Sequence, residues 1–114
     1  MKEMNKFSSI QVALRTVGVF KHYRGYYYFV SAVELAMESP EKLQSVRKKI
    51  YLPVSEMYHT SLSNVEKDIR TIRDVMMRND GRILLQEMSG VSFWNNKLPY
   101  PREVIGIFAE YFSE

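Results

Sequence analysis

Val65, Ile69, Ile72 and Met76 recur at steps of four, three and four residues. Such a rhythm places them within one narrow arc when successive residues turn by about 100° around a helix. The spacing predicts a helix over 62–78 with that stripe buried. Ser63, Lys67, Arg70, Thr71, Asp74 and Arg78 then project from the far side, with Asn64 and Glu66 flanking it. Thr60, Ser61 and Ser63 are all residue types that cap a helix start. Ser63 followed by Glu66 reads as a capping box, which would satisfy two orphan amides. Just before this, 53–58 opens with Pro53, suited to a first helical turn, and carries Val54, Met57 and Tyr58 on one side. His59 and Thr60 make a tight polar turn between the two. Short helix, turn and longer amphipathic helix together form a helix-turn-helix, whose second helix offers its outward face to a DNA major groove. Helical hairpins also occur in domains that bind no nucleic acid, so the unit needs support from the rest of the chain.

The remaining periodicities are helical too, which makes the fold class all-α, a compact bundle of about six helices. Residues 7–17 place Ile10, Leu14 and Val17 at helical spacing after Asn5 and stop at Gly18, which readily turns left-handed. A loop over 18–25 carries Lys21, His22 and Arg24. The pattern resumes over 26–37 with Phe29, Val33, Ala36 and Met37. Ser39 then caps a third helix with Pro40 at its first position, Leu43, Val46, Ile50 and Tyr51 on its apolar side, and Arg47, Lys48 and Lys49 as a basic cluster. Asn79, Asp80 and Gly81 stop the long helix, 82–88 makes a short one, 91–101 is loop, and 102–112 buries Val104, Ile105, Phe108 and Phe112. No repeat or linker divides the chain, so residues 1–114 read as one domain, with 1–6 a disordered extension.

Composition narrows the classes. With 114 residues the chain can bury a core without disulfides, and the absence of cysteine excludes thiol chemistry and Cys-ligated zinc. Cysteine usage fits a cytoplasmic protein. No run approaches the roughly 18 apolar residues of a membrane span, and the N-terminus lacks a signal-peptide core, so no membrane role is expected. A net charge of +3 and a pI near 9.2 permit phosphate contact without demanding it. His22 and His59 are isolated and no HExxH spacing occurs, so no metal is expected. No phosphate-binding glycine loop, GxSxG turn, paired-carboxylate constellation or cofactor fingerprint is present, which points away from an enzyme and away from any cofactor. Tyr26, Tyr27 and Tyr28 splay by about 100° each on a helix and cannot form a stacking platform for single strands. Phe93, Trp94, Tyr100, Phe108, Tyr111 and Phe112 concentrate near the C-terminus, where packing is the first explanation and a subunit contact the second.

Gly25-Tyr26-Tyr27-Tyr28, Tyr51-Leu52-Pro53, Tyr58-His59-Thr60 and Ser63-Asn64-Val65-Glu66-Lys67-Asp68-Ile69-Arg70 occur in this order, followed by Gly81, Gly90, Lys97 and Pro99. In order and spacing these pieces resemble the C-terminal DNA-binding domains of the stage zero sporulation protein A family, response regulators that commit endospore-forming Firmicutes to sporulation. The resemblance runs from about Phe7 to the end of the chain. It implies a six-helix effector domain that binds double-stranded DNA, its recognition helix entering the major groove of a TGTCGAA-like box, commonly as head-to-tail pairs on adjacent boxes. It places base reading on Asn64, Glu66 and Lys67, with Arg70 one turn on. The chemistry agrees: lysine donates to guanine, glutamate accepts from cytosine N4, and asparagine pairs with adenine. Lys21, His22 and Arg24 fall where the family contacts the DNA backbone, although a solvated loop is the alternative. The outward Ser63, Arg70 and Thr71 are the further backbone candidates. Arg47 to Lys49, Lys97 and Arg102 are weaker ones.

Three departures accompany the resemblance. Asn64 and Lys67 stand where the family pattern has arginines, and lysine lacks the planar fork of arginine. Asp68 replaces a small apolar residue and is expected to add negative charge to the helix, pairing with Arg73 or Lys67. The chain opens almost where the effector domain does, so no receiver domain and no phosphorylation switch are expected; a stand-alone paralogue and a piece of a longer product both fit. The alternative to a transcription regulator is a protein-interaction module of the same descent that binds a transcription factor or an RNA polymerase sigma subunit. Asn64, Lys67 and Asp68 favour it.

Overall fold

The computed structural model describes residues 7–92 and 97–113, and the extension expected over 1–6 lies outside them, as do Phe93 and Trp94. Among the described residues no strand forms. Six α-helices follow one another: α1 (Ile10–Thr16), α2 (Tyr26–Glu38), α3 (Leu52–Met57), α4 (Leu62–Arg78), α5 (Gly81–Ser89) and α6 (Pro101–Ser113). Two further helical pieces, a 3-10 segment (Pro40–Ser45) and a π-helical segment (Arg47–Tyr51), lie between α2 and α3.

The first helix is shorter than its periodicity suggested. Ser9 caps it, its hydroxyl accepting from the Val12 amide at 3.1 Å, so the helix begins at Ile10. Gly18 ends the following turn at φ +78°, as expected of a residue without a Cβ. The span expected to be one ordinary helix over 40–51 instead tightens and then widens. Pro53 explains the widening: it has no amide for the carbonyl four residues back, and the neighbouring Leu52 amide donates to the Arg47 carbonyl, five residues back. The π turn then runs directly into α3, burying Ile50, Tyr51 and Val54 together. Ser39 caps nothing on the backbone; its hydroxyl bonds the Glu41 carboxylate.

The core gathers one face from each α-helix. Leu14, Phe29, Val33, Ile50, Val65, Ile69, Ile72, Met76, Leu85, Ile105 and Phe108 are almost wholly withdrawn from solvent. Phe29 of α2 meets Phe108 of α6 edge-to-face at 5.1 Å, and Phe112 and Tyr111 continue the aromatic packing toward Phe7. Packing therefore accounts for these C-terminal aromatics, while Tyr100 is 66% exposed. The tyrosine triplet separates as helical geometry requires: Tyr26 is buried, Tyr27 exposed, and Tyr28 packs on Tyr58.

One close approach positions α4. A Cβ at Gly25 would lie 2.4 Å from the Asp68 carbonyl oxygen and 3.0 Å from the Ile72 side chain. Glycine is thus the residue that lets the start of α2 rest on the backbone of α4. Gly25→Ala is expected to destabilise the fold by about 2 kcal/mol or more, because backbone and not a flexible side chain would have to yield. A urea unfolding midpoint unchanged from wild type would contradict this.

Candidate nucleic-acid interface

The helix-turn-helix is built by local bonds around its turn. The Tyr58 and His59 amides donate back to the Val54 and Glu56 carbonyls, and the Thr60 amide donates to the Ser55 carbonyl at 2.9 Å. His59 adopts φ +54°, the left-handed conformation that reverses the chain. The Tyr58 hydroxyl meets Ser31 at 2.8 Å and ties the turn to α2. Val54 is buried as expected, but Met57 and Tyr58, assigned to the same apolar side, are 50% and 39% exposed. Ending α3 at Met57 leaves them at the turn, where the chain leaves the core.

Ser61, not Ser63, caps α4. Ser61 has an extended backbone and its hydroxyl accepts from the Asn64 amide at 3.0 Å, whereas Ser63 already lies inside the helix. The capping box expected of Ser63 and Glu66 does not form. Asn64 occupies the third helical position and its side-chain amide bonds the Thr60 hydroxyl at 3.0 Å. Glu66 turns to Arg47, whose Nε donates to Glu66 Oε2 at 2.6 Å.

The outward face of α4 carries Ser63, Asn64, Lys67, Arg70 and Thr71, all exposed, with Glu66 half-buried at its edge. Thr71 donates its hydroxyl to the Lys67 carbonyl, an i to i−4 bond that leaves its acceptor lone pairs outward. Two residues on a helix lie about 200° apart, so Glu66 and Asp68 mark opposite flanks of this face. On the Asp68 flank, the contact at Gly25 brings in the loop bearing Lys21, His22 and Arg24, all exposed. The His22 ring lies between Phe20 and Tyr23, with centroids 6.3 Å and 4.6 Å away. On the Glu66 flank stands the π segment with Arg47, Lys48 and Lys49, all exposed. Exposed basic residues therefore occur on the two segments that meet α4, one on each flank of the outward face. Sequence spacing alone gave Arg47 to Lys49 little weight; Arg47, at the start of the π segment, is the one shown to meet α4, at Glu66.

Asp68 departs from expectation. It is 8% exposed, and its Oδ2 is buried with no hydrogen-bond partner among the described residues. Arg73, one expected partner, bonds Asp74 at 2.7 Å and the Pro99 carbonyl at 2.8 Å. A pairing with Lys67 does not form either, because Lys67 stays on the exposed face. Asp68 thus places little charge where phosphates would approach, and nothing in the structure explains why a carboxylate occupies that position. Arg73 also offsets Asp74, the other acid on the outward side.

Beneath the Glu66 flank, burial pushes the Tyr51 phenol up to about 12, with the Glu66 charge adding to the effect and Arg70, Arg102 and Arg73 opposing it. The folded state therefore holds the neutral phenol more tightly than the unfolded chain does. Stability from this group is intact below pH 10 and is lost as pH rises toward 12. Over that window the wild type is expected to lose roughly 2 kcal/mol relative to Tyr51→Phe, measured by urea unfolding at each pH; parallel profiles would rule it out. The cap assignment is tested separately. Ser61→Ala should cost about 1 kcal/mol and Ser63→Ala less than about 0.5, and the reverse order in thermal melts would restore Ser63 as the cap.

The family described as "Sporulation initiation factor Spo0A C terminal" matches residues 10–112 of the chain, from the start of α1 into the last turn of α6. It is a family of sporulation-related DNA-binding effector domains concerned with transcription regulation, and not a family of enzymes. No helix among the described residues is long and apolar enough to cross a membrane. Fold, helix-turn-helix and family match agree, and the chain belongs to the family of Spo0A C-terminal domains.

Proposed function

We propose that the chain is a sequence-specific transcription regulator of a spore-forming bacterium, a single domain that binds duplex DNA with α4 in the major groove. The observation that carries this reading is the exposed face of α4, which presents Lys67 and Arg70 while Glu66 and Asp74 are paired with Arg47 and Arg73. Asn64, Glu66 and Lys67 sit in the first turns, where a recognition helix meets base edges. Ser63, Arg70 and Thr71 lie on the same face within reach of phosphates. Lys21, His22 and Arg24 on one flank, and the basic π segment on the other, supply the sequence-independent attraction that positions a duplex. A TGTCGAA-like box is the target that the family resemblance suggests, with lysine in place of arginine at position 67 shifting the preference at that base. Head-to-tail occupancy of adjacent boxes and contact with a polymerase sigma subunit belong to the same proposal. The burial of Asp68 removes one of the features that favoured a module without DNA binding.

The combined change Lys67→Ala and Arg70→Ala is expected to weaken binding to a boxed duplex by roughly tenfold or more. It should also make the dependence of log affinity on log salt shallower by about one to two. Fluorescence anisotropy at several salt concentrations reads both quantities. Unchanged specific binding by the double variant would sink the proposal.

A further inference from the structure

Arg47 and Glu66 lie 19 residues apart yet meet at 2.6 Å across the front of the helix-turn-helix. The arginine side chain is 62% exposed and the glutamate 25%. An ion pair this exposed adds little to stability, so its effect is better sought in orientation. Glutamate has three rotatable bonds, and a free carboxylate at the rim of a DNA-facing surface would be repelled by phosphates. Pairing with Arg47 offsets that charge and fixes the side chain. It engages Oε2 only; among the described residues Oε1 takes no hydrogen bond, and a carboxylate oxygen so placed still accepts from a donor. The backbone explains why Arg47 can reach. It opens the π segment, and its carbonyl accepts from the Leu52 amide. From this position Arg47 reaches α4 at Glu66, while Lys48 and Lys49 remain exposed.

We infer that Arg47 is a positioning residue for base reading: it holds the Glu66 carboxylate so that Oε1 accepts a hydrogen bond from the N4 amino group of a cytosine in the major groove. The inference rests on the proposed DNA-binding function and adds a determinant of its specificity. Preorganising the acceptor means that its ordering cost is met before the duplex arrives.

The test uses the full chain and a duplex with two adjacent TGTCGAA-like boxes. It adds a scrambled duplex and a series in which each C·G pair of the box is exchanged in turn for T·A. The wild type is expected to lose about tenfold in affinity at one C·G pair, and Glu66→Ala, which removes the acceptor, to lose that penalty. Arg47→Ala should reduce the penalty to about threefold or less, as expected when a fixed acceptor becomes free to rotate. Arg47→Lys, which keeps the charge without the Nε geometry, should fall between and carries the test if the alanine variant unfolds. If Arg47 instead leaves Glu66 for a phosphate, both Arg47 variants will preserve the full penalty at that pair, with any loss of affinity shared equally by all duplexes, and that result overturns the inference alone. Equal wild-type binding to boxed and scrambled duplexes would overturn the DNA-binding reading and the inference with it.

Discussion

The contact between Gly25 and the backbone of α4 at Asp68 is the constraint on which the arrangement depends. Only a residue without a Cβ permits it, since a methyl group there would sit 2.4 Å from a carbonyl oxygen. From that point α2 runs across the core to meet α6 through Phe29 and Phe108, and its first turns present Tyr28 and Ser31 to Tyr58 at the turn of the helix-turn-helix. The same contact draws the loop before α2 alongside α4. That close approach, together with the packing of α4 against α3, α5 and α6, sets where α4 lies in the bundle.

The electrostatics follow from this frame. A net charge of +3 is too small to make the whole molecule a strong attractor of DNA, so distribution matters more than total. The acids on α4 are each dealt with locally: Glu66 by Arg47, Asp74 by Arg73, and Asp68 by withdrawal from the surface. Lys67 and Arg70 are left on the exposed face, with the loop cations and the π segment on either side. Withdrawal of Asp68 has a cost, because one of its oxygens is buried without a partner. That cost falls on stability and not on the surface offered to a ligand.

Much of the fold was legible because helical periodicity is a strong signal where an apolar stripe is long. The four-residue and three-residue steps from Val65 to Met76 predicted a helix over 62–78, and α4 spans Leu62–Arg78. Short elements were harder. Ser9, Ser61 and Ser63 are chemically alike, and only backbone geometry decides which of them caps a helix. The passage from a 3-10 to a π segment before α3 leaves no clear mark on hydrophobic spacing, although Pro53 supplies its cause. The candidate site was legible as a set of outward residues, since angular position follows from sequence number. The partners were not: nothing in the spacing pairs Arg47 with Glu66 or turns Arg73 from Asp68 to Asp74, because those choices depend on how separate helices cross.

Presentation of α4 to a specific duplex is what the proposed function requires. It is tested most directly by fluorescence anisotropy of the wild-type chain against a duplex with two adjacent TGTCGAA-like boxes and a scrambled duplex, at two salt concentrations. Tighter binding to the boxed duplex and a steep loss of affinity as salt rises are the expected result. Absence of binding to either duplex at low salt would contradict it and favour a partner made of protein.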